Sequence, residues 1–273
     1  MSLKATAVTD SLVWRDGQFA TSPRTLPAEV PVAFVYDGSA EAVMMATPAD
    51  CEDFALGFSL NDRIISGRNG IASLEIIEGI RGIELRIAIA AGSASALTRR
   101  RRRRFGPVGC GLCGVESLED ALPALPPVSA QLSVTPAEII AAMREMSAHQ
   151  SLNRETRAVH AAGFFVPGQG IVAVREDVGR HNALDKLAGA LARAGRDASE
   201  GVILMTSRLS VELVQKAAVM VAPVIAAVSA PTALAVKEAE AAGITVAGIV
   251  RDDGLEIFTH ATRFKSKDET RAG

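Results

Sequence analysis

Apolar and polar positions alternate in short runs through the first ninety residues. Residues 31–36 and 41–45 flank Asp37-Gly38-Ser39-Ala40 and predict a hairpin. Thr47-Pro48-Ala49-Asp50 then reads as a helix start, with Thr47 as N-cap, proline at the first helical position and an acid at the third. Phe54, Leu56, Phe58 and Leu60 supply that helix with apolar surface. Residues 74–80 and 83–89, around Arg81-Gly82, predict a second hairpin, so the N-terminal part reads as a small α+β unit of ββαββ order.

After residue 134 the pattern changes. Thr135-Pro136-Ala137-Glu138 is a second capping box, and Ile139, Ile140, Met143 and Met146 follow at helical spacing. Residues 159–166 and 171–174 form a hairpin around Gly168-Gln169-Gly170, and 182–194 is a helix with Leu184, Leu187 and Leu191 on one face. Strands at 202–205, 224–228 and 244–250 then alternate with helices at 211–219 and 232–242, the last closed by Gly243. A final turn, Asp252-Asp253-Gly254, leads into 255–259. Continuous apolar strands alternating with helices predict an α/β fold whose layered C-terminal sheet has parallel strands. The expected organisation is 1–92 as the N-terminal α+β domain, 93–133 as a linker and 134–273 as the α/β domain, with no internal repeat.

With 273 residues and 48% hydrophobic content the chain can bury a full core. A net charge of −2 argues against a general polyanion binder, because the basic charge is local, in the six arginines of 99–104. No apolar run reaches membrane-spanning length and the first residues lack a signal peptide's apolar run, which points to the cytoplasm without a membrane partner. Three cysteines are too few for a disulfide scaffold and suit a reducing compartment.

Two of those cysteines lie in Gly109-Cys110-Gly111-Leu112-Cys113-Gly114, reached from the arginines through Phe105, Gly106, Pro107 and Val108. Cationic neighbours favour thiolate, and glycines let a loop move between partners. Four readings stand. Structural zinc needs four ligands, and only Cys51 and four histidines remain to complete the set. A thioredoxin-like pair opens a helix directly after a strand, which this glycine- and arginine-rich segment does not resemble. A sulfur carrier would take sulfur on one thiolate and release it with the other thiol. The last reading is an incidental pair. A zinc deaminase is disfavoured because Ala161 and Ala162 follow His160 where its glutamate would stand, and Val108-Gly109 precede the first cysteine in place of Pro. Nucleic-acid binding by the arginines lacks aromatic interleaving beyond Phe105, and a solvated basic loop explains the run, so no nucleic-acid partner is expected.

The second cluster runs from Arg175 through Glu176, Asp177, Val178, Gly179, Arg180, His181, Asn182, Ala183, Leu184 and Asp185 to Lys186. Ionisable residues around a glycine turn at a helix start suit an anion, phosphate in particular, and equally suit a capping region with local ion pairs. Thr206-Ser207-Arg208-Leu209-Ser210 and Ser229-Ala230-Pro231-Thr232 repeat the arrangement, which suggests one crevice at the carboxyl ends of the strands. Neither Gly-x-Gly-x-x-Gly nor a Walker sequence occurs.

The cysteine hexapeptide, the segment 176–186, Glu212-Leu213-Val214-Gln215-Lys216-Ala217-Ala218 and 227–236 together resemble the FdhD family of formate dehydrogenase accessory sulfurtransferases. The resemblance covers nearly the whole chain. It implies a cytidine deaminase-like fold in the larger part, a cytoplasmic homodimer, and a carrier that takes persulfide sulfur from a cysteine desulfurase. The acceptor it implies is the molybdenum cofactor in its bis(molybdopterin guanine dinucleotide) form, ahead of insertion into formate dehydrogenase, with no permanently bound metal. Cys110 would carry the persulfide and Cys113 would assist. The family's guanine dinucleotide contact would fall on Ile249, Val250, Arg251, Asp252, Asp253 and Gly254, joined from the anion-ready turns by Arg180, His181, Ser207, Arg208 and Ser229. The alternative is a chaperone that holds the cofactor without handling sulfur. The chain departs from the family pattern at Thr156-Arg157-Ala158, where a Thr-Gly-Gly segment is usual, and at Thr206-Ser207-Arg208-Leu209-Ser210-Val211-Glu212, where Ser-Gly-Arg-Ala-Ser-Tyr-Glu is usual.

Overall fold

A computed structural model describes residues 3–91 and 122–265. Three sheets are present among them. The first is a two-stranded antiparallel ribbon of β1 (Thr6–Arg15) and β2 (Gln18–Pro27). The alternation pattern did not announce it, because Val8, Leu12, Trp14 and Phe19 project into solvent and neither face is core.

The second sheet has the order β4-β3-β6-β5, with β3 (Val30–Tyr36), β4 (Ser39–Ala46), β5 (Ile71–Gly79) and β6 (Gly82–Ile89). Both expected hairpins form, and β3 and β6 join them in parallel at the centre. Helix α1 (Cys51–Asn61) covers this sheet with Phe54 and Phe58, which pack on Phe34 at centroid distances of 4.9 and 4.1 Å. Each such buried ring contributes about 1.5–3 kcal/mol.

The start of α1 departs from expectation. Thr47 is not its cap: Asp50 holds the N-cap position at φ 53 with no side-chain capping bond. The amide and hydroxyl of Thr47 are committed elsewhere, to Asp177 and Val178.

The third sheet has six strands in the order β12-β11-β10-β9-β7-β8. These are β7 (His160–Val166), β8 (Gly170–Asp177), β9 (Val202–Met205), β10 (Val224–Ala227), β11 (Thr245–Arg251) and β12 (Gly254–Ile257). The expected parallel strands are β9, β10 and β11; β7 and β12 run against their neighbours, making the sheet mixed. Strand β8 is antiparallel to β7 and so ends on the same edge as β9, β10 and β11.

Helices α4 (Arg180–Arg193), α5 (Val211–Val219) and α6 (Ala233–Ala242) share one core with Phe164, Ile203, Met205, Ile225 and Val246. Helix α2 (Pro136–His149) packs Ile139, Met143 and Met146 with Phe165, Leu204, Val224 and Ala247. Since Ile203 and Leu204 point to opposite faces, the sheet lies between two helical layers. The capping box of α2 forms as expected, with Thr135 accepting from the Glu138 amide at 3.2 Å, and Gly243 ends α6 at φ 76. Short helix α3 (Ser151–Thr156) precedes β7.

The two larger sheets are joined through α1 and α4, which meet backbone to backbone. A Cβ on Gly57 would lie 1.7 Å from the Asp185 carbonyl oxygen, and one on Gly189 would lie 1.9 Å from that of Asp53. Only glycine permits this crossing.

Candidate functional site

The 175–186 segment spans the end of β8 and the first turns of α4. Most of its polar groups hold the fold together. Asp177 is fully buried; its Oδ1 accepts from the Gly179 amide (2.8 Å) and Asn182 Nδ2 (2.9 Å). Its Oδ2 accepts from the Thr47 amide (3.0 Å) and from Lys186 Nζ (2.6 Å), itself fully buried. Lys186 also donates to the Thr47 carbonyl and Asn182 to that of Met45. Glu176 accepts from the amides of Leu152 and Asn153, pinning α3. Asp185 accepts from Lys216 Nζ and Asn61 Nδ2, while burial pushes its carboxyl up against the pull of Lys216. Arg175 reaches Asp53 of α1 at 2.7 Å. The capping and ion-pair reading therefore holds for these residues, with most partners distant in sequence.

Arg180 and His181 behave differently. Arg180 Nε and His181 Nε2 are buried without a hydrogen-bond partner among the described residues, as is Glu212 Oε2 on α5. Burial, then Lys216 and Arg180, lower His181 to a pKa of about 4, so its ring is neutral at pH 7. Burial and then Arg180 also lower His160, at the start of β7. Burial opposes ionisation of Glu212, yet Ser210, its own backbone amide, His181 and Arg180 together bring its carboxyl below the ordinary range. One small volume thus holds a neutral imidazole, a guanidinium and a carboxylate, with three atoms that nothing in the described chain satisfies. Such groups are rare in folded proteins, and with the perturbed imidazole and carboxylate they make this cluster the candidate site.

The other expected turns meet this cluster along the same sheet edge. Thr206 Oγ1 accepts from the Ala161 amide beside His160; the Thr232 amide donates to the Leu209 carbonyl, and the Ile249 amide to the Ser229 carbonyl. These bonds bring the turns at Thr206–Leu209, Ser229–Thr232 and Ile249 side by side at the carboxyl ends of the strands, where the crevice was expected. Ser207 is buried and its hydroxyl donates to the Arg208 carbonyl, whereas Arg208 is exposed. The 249–254 run divides. Ile249 sits at φ 53 beside a register shift in β11, and a β-branched residue in that region is a true outlier of the kind found at ligand sites. Val250 is buried in the α2-side core, while Arg251, Asp252 and Asp253 form an exposed hairpin tip where Asp252 accepts from Arg144.

Cys110, Cys113 and the arginines of 99–104 lie outside the described residues. Among the described residues no group of three or more His, Cys, Asp or Glu could hold a metal ion, and no helix is long and apolar enough to cross a membrane. Sequence reasoning did not place Glu212 and Lys216 at the site. Their i, i+4 spacing on one helix was the available signal.

The model of the FdhD/NarQ family matches residues 27–265. The chain belongs to the FdhD/NarQ family. Its similarity to individual members is high: 54% identity over 250 residues to "Sulfur carrier protein FdhD" of Agrobacterium fabrum, covering 91% of this chain and 92% of that one. The protein of the same name from Brucella abortus is 50% identical over 253 residues, covering 92% and 94%, and that from Cupriavidus necator is 48% identical over 252 residues, covering 92% and 88%. The crystal structure of a candidate formate dehydrogenase accessory protein from Desulfotalea psychrophila superposes with a TM-score of 0.76 at 23% identity, covering 96% of this chain and all of that one, and it supports the α/β fold. Within the FdhD/NarQ match lie the cysteine hexapeptide and every crevice residue named above, while the β1–β2 ribbon lies almost wholly before it. Arg157 ends α3 at φ 59, a left-handed conformation that glycine adopts without strain.

Proposed function

We propose that this FdhD/NarQ protein is a cytoplasmic sulfur carrier for formate dehydrogenase maturation, working as a homodimer. The Cys110 thiolate attacks the outer sulfur of a cysteine desulfurase persulfide, the S–S bond breaks, and the desulfurase cysteine leaves as thiolate. The arginines of 99–104 favour the attacking thiolate electrostatically. Cys113 then attacks the inner sulfur of the Cys110 persulfide, which forms a disulfide and releases the outer sulfur as hydrosulfide to the acceptor; a cellular dithiol restores both thiols. The acceptor is the molybdenum cofactor in its bis(molybdopterin guanine dinucleotide) form, which is cargo here.

The observation that carries this reading is an intact Gly-Cys-Gly-Leu-Cys-Gly segment in a chain 54% identical to a sulfur carrier protein. Further support comes from the crevice. Its helix starts and the free Arg180 Nε suit an anionic dinucleotide, and the free Glu212 oxygen suits the N–H groups of a guanine or pterin ring. Incubation with a desulfurase and cysteine, followed by mass measurement, tests the reading. The wild type should gain one sulfur and Cys110→Ala none; equal gain in both overturns it. Full formate dehydrogenase maturation by Cys110→Ser would instead favour a chaperone that only holds the cofactor.

A further inference from the structure

The two sides of the β1–β2 ribbon differ sharply. Opposed residues of an antiparallel pair share a side, so the register places Val8, Leu12 and Trp14 together with Phe19 and Pro23, and Asp10 is the one charged strand residue among them. Val8, Leu12, Trp14 and Phe19 are 60–71% exposed. The Trp14 and Phe19 rings meet across the pair with centroids 4.7 Å apart. The opposite side is engaged by the chain itself: Arg24 donates to the Thr156 carbonyl at the end of α3 at 2.8 Å, and Ser11 and Val13, on that side, are half-buried. At the base of the ribbon the Ala28 amide donates to the Ala5 carbonyl at 2.8 Å. The ribbon is thus held in place by its polar side and presents its apolar side to solvent.

A two-stranded ribbon with a bare apolar face is marginal in water, whereas strands that share an apolar interior hold together. Val8, Leu12, Trp14 and Phe19 leave about 500 Å² open on each copy, so two ribbons laid face to face bury roughly 1,000 Å², the lower bound for a specific protein interface. A face almost free of charge offers an unlike partner no charge pattern to match. It is its own complement, which is what a two-fold interface requires. We propose that this face is the contact between two copies of the chain: the ribbons stack about 10 Å apart as a two-layer, four-stranded sandwich with Trp14 and Phe19 in its interior. The surface is that of the homodimer proposed above and rests on that reading.

The test is sedimentation equilibrium of the full chain, read alongside the fluorescence of Trp14, its only tryptophan. Wild type is expected to be a dimer whose Trp14 emission moves to longer wavelength as dilution separates the copies. Leu12→Asp should raise the dissociation constant about thirtyfold or more, the effect of losing an apolar anchor of an interface, with Trp14 emission at its water-exposed position throughout. Leu12→Thr, which keeps strand propensity, should weaken the dimer in the same direction. Ala20→Lys, a charge on the opposite side of the ribbon, should leave both readings at wild type. Wild-type affinity in both Leu12 variants, or a wild-type dimer whose Trp14 emission ignores dilution, would overturn this surface and leave the homodimer standing. A wild type that stays monomeric at its highest soluble concentration would overturn both.

Discussion

Asp177 at the end of β8 and Lys186 in the second turn of α4 are buried together, and Arg180 and His181 come from the same eleven-residue segment, 176–186. The inward pair is fully buried, bonded at 2.6 Å, and surrounded by Thr47, Gly179 and Asn182, which leave Asp177 no oxygen unused. Arg180 and His181 retain buried nitrogens with no partner among the described residues. A single motif therefore serves two purposes. One set of side chains ties the C-terminal sheet to the Met45–Thr47 strand end, and the other, beside Glu212, keeps atoms that the described chain leaves unsatisfied. Only bonding completeness separates the two sets.

The largest effect should come from the inward set. Lys186→Met strands the Asp177 carboxylate in the core and should cost about 3–5 kcal/mol in denaturant unfolding. Arg180→Met and Glu212→Gln alter groups that each keep one atom unpaired among the described residues; each should change stability by less than about 1 kcal/mol while weakening cofactor binding. Comparable stability losses in both sets would erase the distinction.

At the joint that presents both sets, Gly57→Ala drives a Cβ into the Asp185 carbonyl and should cost about 1–3 kcal/mol, read from the same unfolding curves.

Acid titration sharpens the contrast through His181. Its folded pKa of about 4 lies below the ordinary 6.5, so the unfolded chain binds the extra proton between those values. Stability is then complete above about pH 6.5 and falls as pH drops towards 4, by at most about 1.4 kcal/mol per unit for this group. Facing His181 are Lys216, Arg180, Glu212 and His160, and the lowered His160 adds a slope of the same sign. His181→Gln should flatten the profile; an unchanged slope would mean that His181 is not held neutral.

The smallest effect lies outside both sets. Arg157→Gly relieves a left-handed residue at the end of α3 and should stabilise by about 1 kcal/mol, measured as a raised melting temperature.

Much of the architecture was legible before any coordinates. Strand Val202–Met205 and helix Val211–Val219 fall where the period of apolar residues placed them, and Thr135, Glu138 and Gly243 bound their helices as local chemistry predicts. The ribbon escaped because its apolar residues face solvent and encode no core. Thr47 was misread because a Thr-Pro-Ala-Asp segment satisfies every local criterion for a cap, whereas its true partners lie 130 residues away. Glu212 was missed because nothing local joins it to His181.

By itself the sequence determined the order and type of most elements, the three helix-start turns at the strand ends and the paired thiols of Cys110 and Cys113. Tertiary structure alone decided which ionisable groups are satisfied, which remain open, and that the apolar face of the ribbon lies in solvent. The physical reason is range. Periodicity, caps and turn chemistry act over a few residues and are written in consecutive letters. Burial and hydrogen-bond completeness depend on groups that only packing brings within 3 Å of one another.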